Sequence, residues 1–276
     1  MTKNGRMKGS LEASLVALAF GLYAIATVAW GGRGWLLPVA SHHGAQIDRM
    51  MTYLLFTSGA ILLAGHLVLG YFVWRFSGQR RVTKRMSGRK TERRWSFALG
   101  VVMALVAEGG VLVLGLPVFD EFYQTPPPSD AVQVEVTGEQ FAWNFRYPGS
   151  DEKFGRSDPG LITLDNALGL DENDSAARDD LVLLGELFLP VNRAAHLRLR
   201  SKDVLHSFFL PHLRVKQDLV PGMTLHIWFR PTRVGTYEVA CAELCGFGHF
   251  KMRGLLHVVT EEEFDQFLRE EPPFLQ

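Results

Sequence analysis

The sequence predicts a membrane-anchored, all-β protein: an N-terminal transmembrane helical hairpin, preceded by a signal peptide or an extra helix, and then a β-barrel or sandwich outside the membrane. Three observations carry this. Long apolar stretches crowd the first part of the chain, short alternating segments fill the rest, and basic charge collects between the two strongest apolar stretches. The 276 residues leave room for an anchor and one domain of ordinary size. Net charge is zero, so the overall balance gives no reason to invoke nucleic acid. That zero hides a segregation, with positive charge before residue 95 and much of the negative charge after residue 119.

Residues 13–32 and 50–74 contain no Asp, Glu, Lys or Arg, and residues 95–119 contain only Glu108. Each is long enough to cross a hydrocarbon layer of about 30 Å, which takes roughly 20 residues. Residues 50–119 therefore form a hairpin. Its linker carries Arg75, Arg80, Arg81, Lys84, Arg85, Arg89, Lys90, Arg93 and Arg94 against the single acid Glu92. Such one-sided charge places the linker in the cytoplasm and everything after Asp120 outside. Residues 1–32, with Lys3, Arg6 and Lys8 ahead of the apolar run, fit a cleaved signal peptide or a retained first helix; both give the same topology. The signal-like start and the arginine-rich loop suggest a prokaryotic plasma membrane. Glu108, beside Gly109 and Gly110, reads as a protonated residue packed against a neighbouring subunit rather than a proton relay, and His66 as a hydrogen-bonded packing residue rather than a haem ligand.

The outer domain spans residues 120–276. Pro126, Pro127 and Pro128 make a stiff spacer. Val132, Val134 and Val136 then alternate with Gln133, Glu135 and Thr137. Phe141 to Tyr147 is a second extended run, Leu197 and Leu199 alternate with Arg198 and Arg200, and Leu225, Ile227 and Phe229 alternate with His226, Trp228 and Arg230. Pro221-Gly222 and Gly235 punctuate as turns. The pattern lapses over residues 149–181, an insert rich in acid: Asp151, Glu152, Asp158, Asp165, Asp171, Glu172, Asp174, Asp179 and Asp180. It reads as a solvated loop or as a docking surface for a basic electron donor. Thr260 with Glu263 is a capping-box pattern opening a short amphipathic helix over Phe264, Phe267 and Leu268.

The chemistry is concentrated in Cys241-Ala-Glu243-Leu-Cys245-Gly-Phe-Gly-His249-Phe-Lys-Met252. Gly246 and Gly248 let this loop curl so that its side chains converge. His206 stands upstream, at the end of the extended segment from Asp203. Thiolate, imidazole and thioether are ligands that copper prefers, and two thiolates can bridge two metals. A zinc tetrahedron of Cys241, Cys245, His249 and His206 is the alternative, but it leaves Met252 idle. A disulfide would ignore His249, and covalent haem needs Cys-x-x-Cys-His, which is absent.

These residues resemble subunit II of cytochrome c oxidase, with its dinuclear CuA centre. The likeness covers most of the chain from about Ser41, apart from the insert. It rests on the cysteine loop, on Asp203-Val-Leu-His206, on Lys216-Gln-Asp218-Leu-Val-Pro221-Gly222 and on Gly138-Glu-Gln140-Phe-Ala-Trp143, all in family order behind a helical hairpin. The resemblance implies a cupredoxin-like β-barrel in which Cys241 and Cys245 bridge both coppers, His206 and Met252 complete one, and His249 and the Glu243 carbonyl complete the other. The Glu243 carboxylate would help hold a magnesium ion shared with subunit I, and Glu92 would stand at the cytoplasmic mouth of a proton path. Electrons from cytochrome c or a similar donor would pass to haem held by subunit I, where oxygen is reduced to water and protons are pumped. Subunit III and membrane lipid would complete the surroundings. Phe141 stands where the family has Trp, the residue through which electrons are thought to arrive. Trp143 matches the next aromatic, and Lys202 stands where acid is common. These departures leave the donor open.

Other functions fit less well. Quinol oxidase relatives lack the copper ligands. A soluble nitrous-oxide-reducing enzyme would need a large catalytic domain and no hairpin, and a copper carrier would need neither Glu243 nor membrane helices.

Overall fold

The structure, a computed structural model, describes residues 3–31, 33–34, 36–76 and 88–275. The linker residues Arg80, Arg81, Lys84 and Arg85 lie outside the described residues. The chain divides into two compact units, Met1–Leu36 with Asp48–Pro117, and Leu37–Ile47 with Val118–Gln276.

The first unit is helical. α1 covers Lys3–Gly31, α2 begins at His42 and runs to Phe76, α3 covers Arg89–Met103, and α4 covers Gly109–Tyr123. The stretches Leu11–Gly31, His42–Phe76 and Lys90–Tyr123 are each long and apolar enough to cross a membrane. Small residues let the helices approach: Gly70 of α2 lies against Ala17 of α1. His66 has the packing role expected of it. Its Nδ1 donates to the Leu62 carbonyl at 2.8 Å, and its ring meets those of Phe20 and Tyr23 at 5.9 and 5.5 Å.

Between α3 and α4 the residues Ala104–Glu108 form a π-turn. Such a turn takes in one extra residue and frees a carbonyl from its usual partner. Here Tyr53 of α2 donates its hydroxyl to the Val106 carbonyl. The Tyr53 ring also fills the place where a side chain on Gly110 would lie.

The second unit is built of two five-stranded sheets. β1 is Val132–Glu139, β2 Ala142–Tyr147, β3 Leu181–Leu184, β4 Glu186–Pro190 and β5 Ala195–Ser201. β6 is His206–Leu210, β7 Val215–Leu219, β8 Leu225–Phe229, β9 Gly235–Cys241 and β10 Arg253–Val259. One sheet has the order β3-β2-β1-β5-β8 and the other β4-β10-β9-β6-β7. β1 with β5 and β4 with β10 pair parallel, and the remaining pairs are antiparallel. The inward residues Val134, Val136, Trp143, Phe145, Leu197, Leu199, Phe208, Leu256 and Val258 fill the core between the sheets. This two-sheet barrel behind apolar helices is the predicted fold class.

Three sequence expectations change. Asp203–Leu205 is a turn rather than a strand, and His206 is the first residue of β6. Gly235 opens β9 instead of marking a turn. Most telling, Glu135 and Thr137 are buried although they alternate with the core valines.

The insert explains that burial. It folds over the outer face of β1 and β2 with its own small core of Leu168, Leu170 and Ala177. Helix α5, Ser175–Arg178, is capped by Asp174. Arg146 of β2, 1% exposed, donates to Asp180, to Glu135 at 3.3 Å and to the Gly155 carbonyl at 2.6 Å. The acids of the insert are largely used inside it. Asp158 accepts from the Gly160 amide, Asp171 from Arg156, Asp174 from the Arg156 and Ala176 amides, and Asp179 from Ser150. Asp151, Glu152, Asp158, Asp165 and Glu172 stay exposed, so the insert still presents acid to solvent.

The segment before α2 also belongs to this unit. Ala40 and Ser41 are buried, the Ala40 amide donates to the His212 carbonyl, and the Thr232 amide donates to the Ala40 carbonyl, both at 2.8 Å. The capping box opens α6, Glu261–Glu270, as the sequence predicts, and Phe264 of that helix is buried in the core.

Candidate metal centre

The site lies at one end of the β6–β9–β10 sheet. Cys241 closes β9 and Met252 immediately precedes β10. Antiparallel pairing of Arg253 with Ala240 therefore brings the two ends of the intervening loop together. β6 pairs with β9 through Phe208 and Cys241, so His206 arrives beside the same loop.

The loop has to curl sharply, and two glycines allow it. Gly246 has φ +138°, a conformation that side chains rarely adopt, and a Cβ there would come within 2.8 Å of the Gln140 side-chain nitrogen. A Cβ on Gly248 would collide with the Phe141 ring. His249 then opens a short 3-10 turn, His249–Lys251.

The donor atoms converge. The Cys241 and Cys245 sulfurs are 3.9 Å apart. His249 Nδ1 lies 3.6 Å and Met252 Sδ 3.7 Å from the Cys245 sulfur. A ring nitrogen of His206 lies within 4.8 Å of both sulfurs. The Cys241 thiol also donates to the Glu243 carbonyl at 3.1 Å. Both cysteines are free thiols.

His206 is fully buried, and Asp203 decides its tautomer. Asp203 Oδ1 lies 2.8 Å from His206 Nε2, which fixes the proton there. Nδ1 is left buried, with no hydrogen-bond partner among the described residues. A buried lone pair with no donor, next to two thiols, fits a metal ion better than any other occupant. The thioether beside Cys245 fits copper better than zinc. Burial, followed by the neighbouring Cys241 thiol, pushes Cys245 up to about 11. The thiol thus stays protonated at neutral pH until a metal displaces the proton. Burial opposes ionisation of Asp203, but hydrogen bonds from His206 and from the Gln140 and Val204 amides outweigh it and hold the carboxylate below its usual value.

Gln140 joins both halves of the site. Its amide N–H donates to Asp203 at 2.7 Å, and its side chain donates to the Cys245 carbonyl at 2.6 Å. Neither Gln140 nor Asp203 was assigned a role from sequence. Asp203 stood three residues before His206 and Gln140 within the run Gly138 to Trp143, but neither motif showed what its residue would hold.

The two candidate electron-uptake residues part company. Trp143 is wholly buried, its ring meeting those of His206 and Phe208 at 6.2 and 5.7 Å. Phe141 sits in the β1–β2 turn against Gly248 and meets Phe247 edge-on at 5.5 Å, and Phe247 is 93% exposed. Leu244 and Phe250 are exposed on the same loop. Several charged residues nearby are paired, Lys202 with Glu139 at 2.6 Å, Lys216 with Asp218 at 3.0 Å and Arg253 with Glu238 at 2.6 Å, whereas Lys251 on the loop is exposed and lies over the Phe250 ring. Glu92 is not at this site; it is exposed in the first turn of α3, where a carboxylate also suits the helix dipole.

Residues 132–259 match the family model described as cytochrome c oxidase subunit II, periplasmic domain. The chain is 35% identical to an alternative cytochrome c oxidase subunit 2 of Bradyrhizobium diazoefficiens, over 94% of this chain and 92% of that protein. It is 30% identical to a cytochrome c oxidase subunit 2 of Cereibacter sphaeroides, over 87% and 80%. A solved periplasmic domain of subunit II of cytochrome oxidase from Bradyrhizobium japonicum overlaps 53% of this chain and 96% of its own, at 28% identity and a TM-score of 0.39.

Proposed function

The chain belongs to the cytochrome c oxidase subunit II family, and from that premise we propose that it takes up electrons at a dinuclear copper centre and passes them to haem in subunit I of the oxidase. The observation that carries this reading is the meeting of two thiols 3.9 Å apart with the unpartnered nitrogen of His206, with His249 and with Met252. Cys241 and Cys245 would bridge the metals, His206 and Met252 would complete one, and His249 with the Glu243 carbonyl the other. Bound there, the copper pair supplies a one-electron relay between a reduced donor and haem.

The protein's own groups prepare that site. Asp203 holds the Nε2 proton of His206 and orients the ring. Gln140 ties the cysteine loop to Asp203, so the donor atoms are held in place by hydrogen bonds of the fold itself. Phe141 covers the glycines of the loop and limits water on that side. The exposed rim of Leu244, Phe247 and Phe250 suits a cytochrome c or similar donor that docks by apolar contact, with the half-buried Phe141 against Phe247. Glu243 would turn its carboxylate to a magnesium ion shared with subunit I, and Glu92 would serve a cytoplasmic proton path. Subunit III would be a further neighbour. Packing of Ala17, Phe20 and Tyr23 against α2 favours a retained first helix, hence three spans with the copper unit on the outer side of a prokaryotic plasma membrane.

Full-length chain purified in detergent and loaded with copper tests the site. It should hold about two copper ions, turn purple and give a spin spectrum of one electron shared by two metal nuclei. A single-copper signal, or preferential zinc binding, would refute it. Mass spectrometry of the mature N-terminus decides whether α1 is kept.

A further inference from the structure

His196 and His226 stand on the paired strands β5 and β8. Leu197 and Ile227, next to them in sequence, fill the core, so the two imidazoles lie on the other face of the sheet. Their rings are nearly parallel, 23° apart, with centroids at 5.2 Å. His196 Nε2 and His226 Nδ1 are 3.2 Å apart.

Hydrogen bonds fix which nitrogen is bare. The Gln133 side-chain nitrogen donates to the Ala131 carbonyl at 3.1 Å. Its oxygen is thereby turned to His196 Nδ1, at 2.8 Å, and the proton of His196 sits on that nitrogen. Nε2 is left with a lone pair. Burial, followed by His226 and Arg198, holds His196 below the usual histidine value, so the ring is neutral at neutral pH. His226 is exposed and can carry its proton on Nε2, toward water, which frees its Nδ1. Two lone pairs then share one gap.

The gap has the size of a metal ion. Two imidazole nitrogens bound at about 2.0–2.1 Å to one ion, with about 100° between them, stand about 3.2 Å apart. A cavity of about 200 Å³ opens beside them, between the strands and residues 122–127, and leaves room for the waters that would fill the remaining positions. Trp228 ties that segment down by donating to the Thr125 carbonyl at 2.9 Å. Arg198, opposite His226 in the strand pairing, lies over the Phe154 ring at 4.9 Å and does not line the cavity.

We propose that His196 and His226 bind one divalent transition-metal ion, of the zinc or nickel class that imidazole suits, at a site separate from the cysteine loop, with Gln133 orienting His196 toward it.

The test uses untagged full chain in detergent, loaded with copper, freed of excess and dialysed against zinc chloride. Wild type should hold one zinc ion per chain more than His226→Ala, a replacement at an exposed position that spares the core. Gln133→Leu should keep the site but weaken it by about 10–100-fold, as loss of such a partner does elsewhere. Zinc should also protect His226 from acylation by diethyl pyrocarbonate, mapped by peptide mass spectrometry. Equal zinc in wild type and His226→Ala would overturn the proposal, as would unhindered acylation of His226 at saturating zinc. Unchanged affinity in Gln133→Leu would overturn the orienting role of Gln133. The first readout is a difference between two chains, so it stands whatever the cysteine loop holds; failure of the purple centre to form would sink the copper reading and leave this one.

Discussion

Asp203 and Gln140 do at the scale of single residues what the candidate metal ligands cannot do for themselves. Each ligand is held by what it touches, and His206 is held by a carboxylate that leaves one ring nitrogen free. Removing such a partner weakens metal binding by about 10–100-fold in comparable sites. Asp203→Ala should therefore lose copper to a competing chelator that much more readily while the protein stays folded; equal retention would deny Asp203 its orienting role. The ligands themselves were legible in the sequence because they sit close together, Cys241 to Met252, with glycines between. Gln140 was not, because its partner Cys245 is 105 positions away and only the β1–β2 turn brings them together. That Trp143 is buried was not legible for a similar reason: an aromatic in a strand gives no hint from sequence of which face is covered.

Among the elements, strands with one wet face announced themselves. β5 shows it plainly, with Leu197 and Leu199 buried and Arg198 and Arg200 partly exposed. β3, β4, β6, β7, β9 and β10 were not singled out, since short runs without clean alternation carry little signal. The insert hid its structure because its order comes from turns and ion pairs. Its anchor is the buried group of Arg146, Asp180 and Glu135. Arg146→Ala would strand two acids in a dry setting, and should cost about 3–5 kcal/mol in chemical unfolding. Burial is the largest influence on Asp180 and raises its carboxyl above the usual range despite Arg146. A folded-state value above the unfolded one means that protonation favours the fold. Wild type should thus gain stability relative to Asp180→Asn as pH falls from neutral toward about 5; a loss would contradict the raised value.

The segment from Leu37 to Ile47 tells the same story for domain boundaries, which the sequence placed at residue 120. Ser41 donates to the Leu213 carbonyl at 2.6 Å, and the Ala40, His42 and Thr232 amides add further bonds. A soluble fragment starting at residue 120 should be less stable by roughly 2–4 kcal/mol than one carrying that segment, at about 1 kcal/mol for each hydrogen bond. Equal melting curves would show the segment to be a passenger.

On the scale of the whole molecule, charge is segregated but largely spent in pairs near the metal loop, and the rim there is apolar. Association with an electron donor should accordingly change little with added salt, whereas steering by unpaired charge falls steeply. Stopped-flow oxidation of a reduced cytochrome at several ionic strengths measures this, and a rate that collapses with salt would restore the electrostatic picture that the acidic insert first suggested. The long apolar helices and the cysteine loop were both written locally, in runs and spacings. What covers what was not, because it depends on contacts between distant stretches of chain.

With the insert lying over it, β1 has no wet side, and β2 and β5 pair with it along both edges. Its amide hydrogens have no local route to solvent, so in heavy water they should swap for deuterium only when the entire barrel opens. That makes Val134 to Thr137 a built-in gauge of global stability, readable by exchange mass spectrometry.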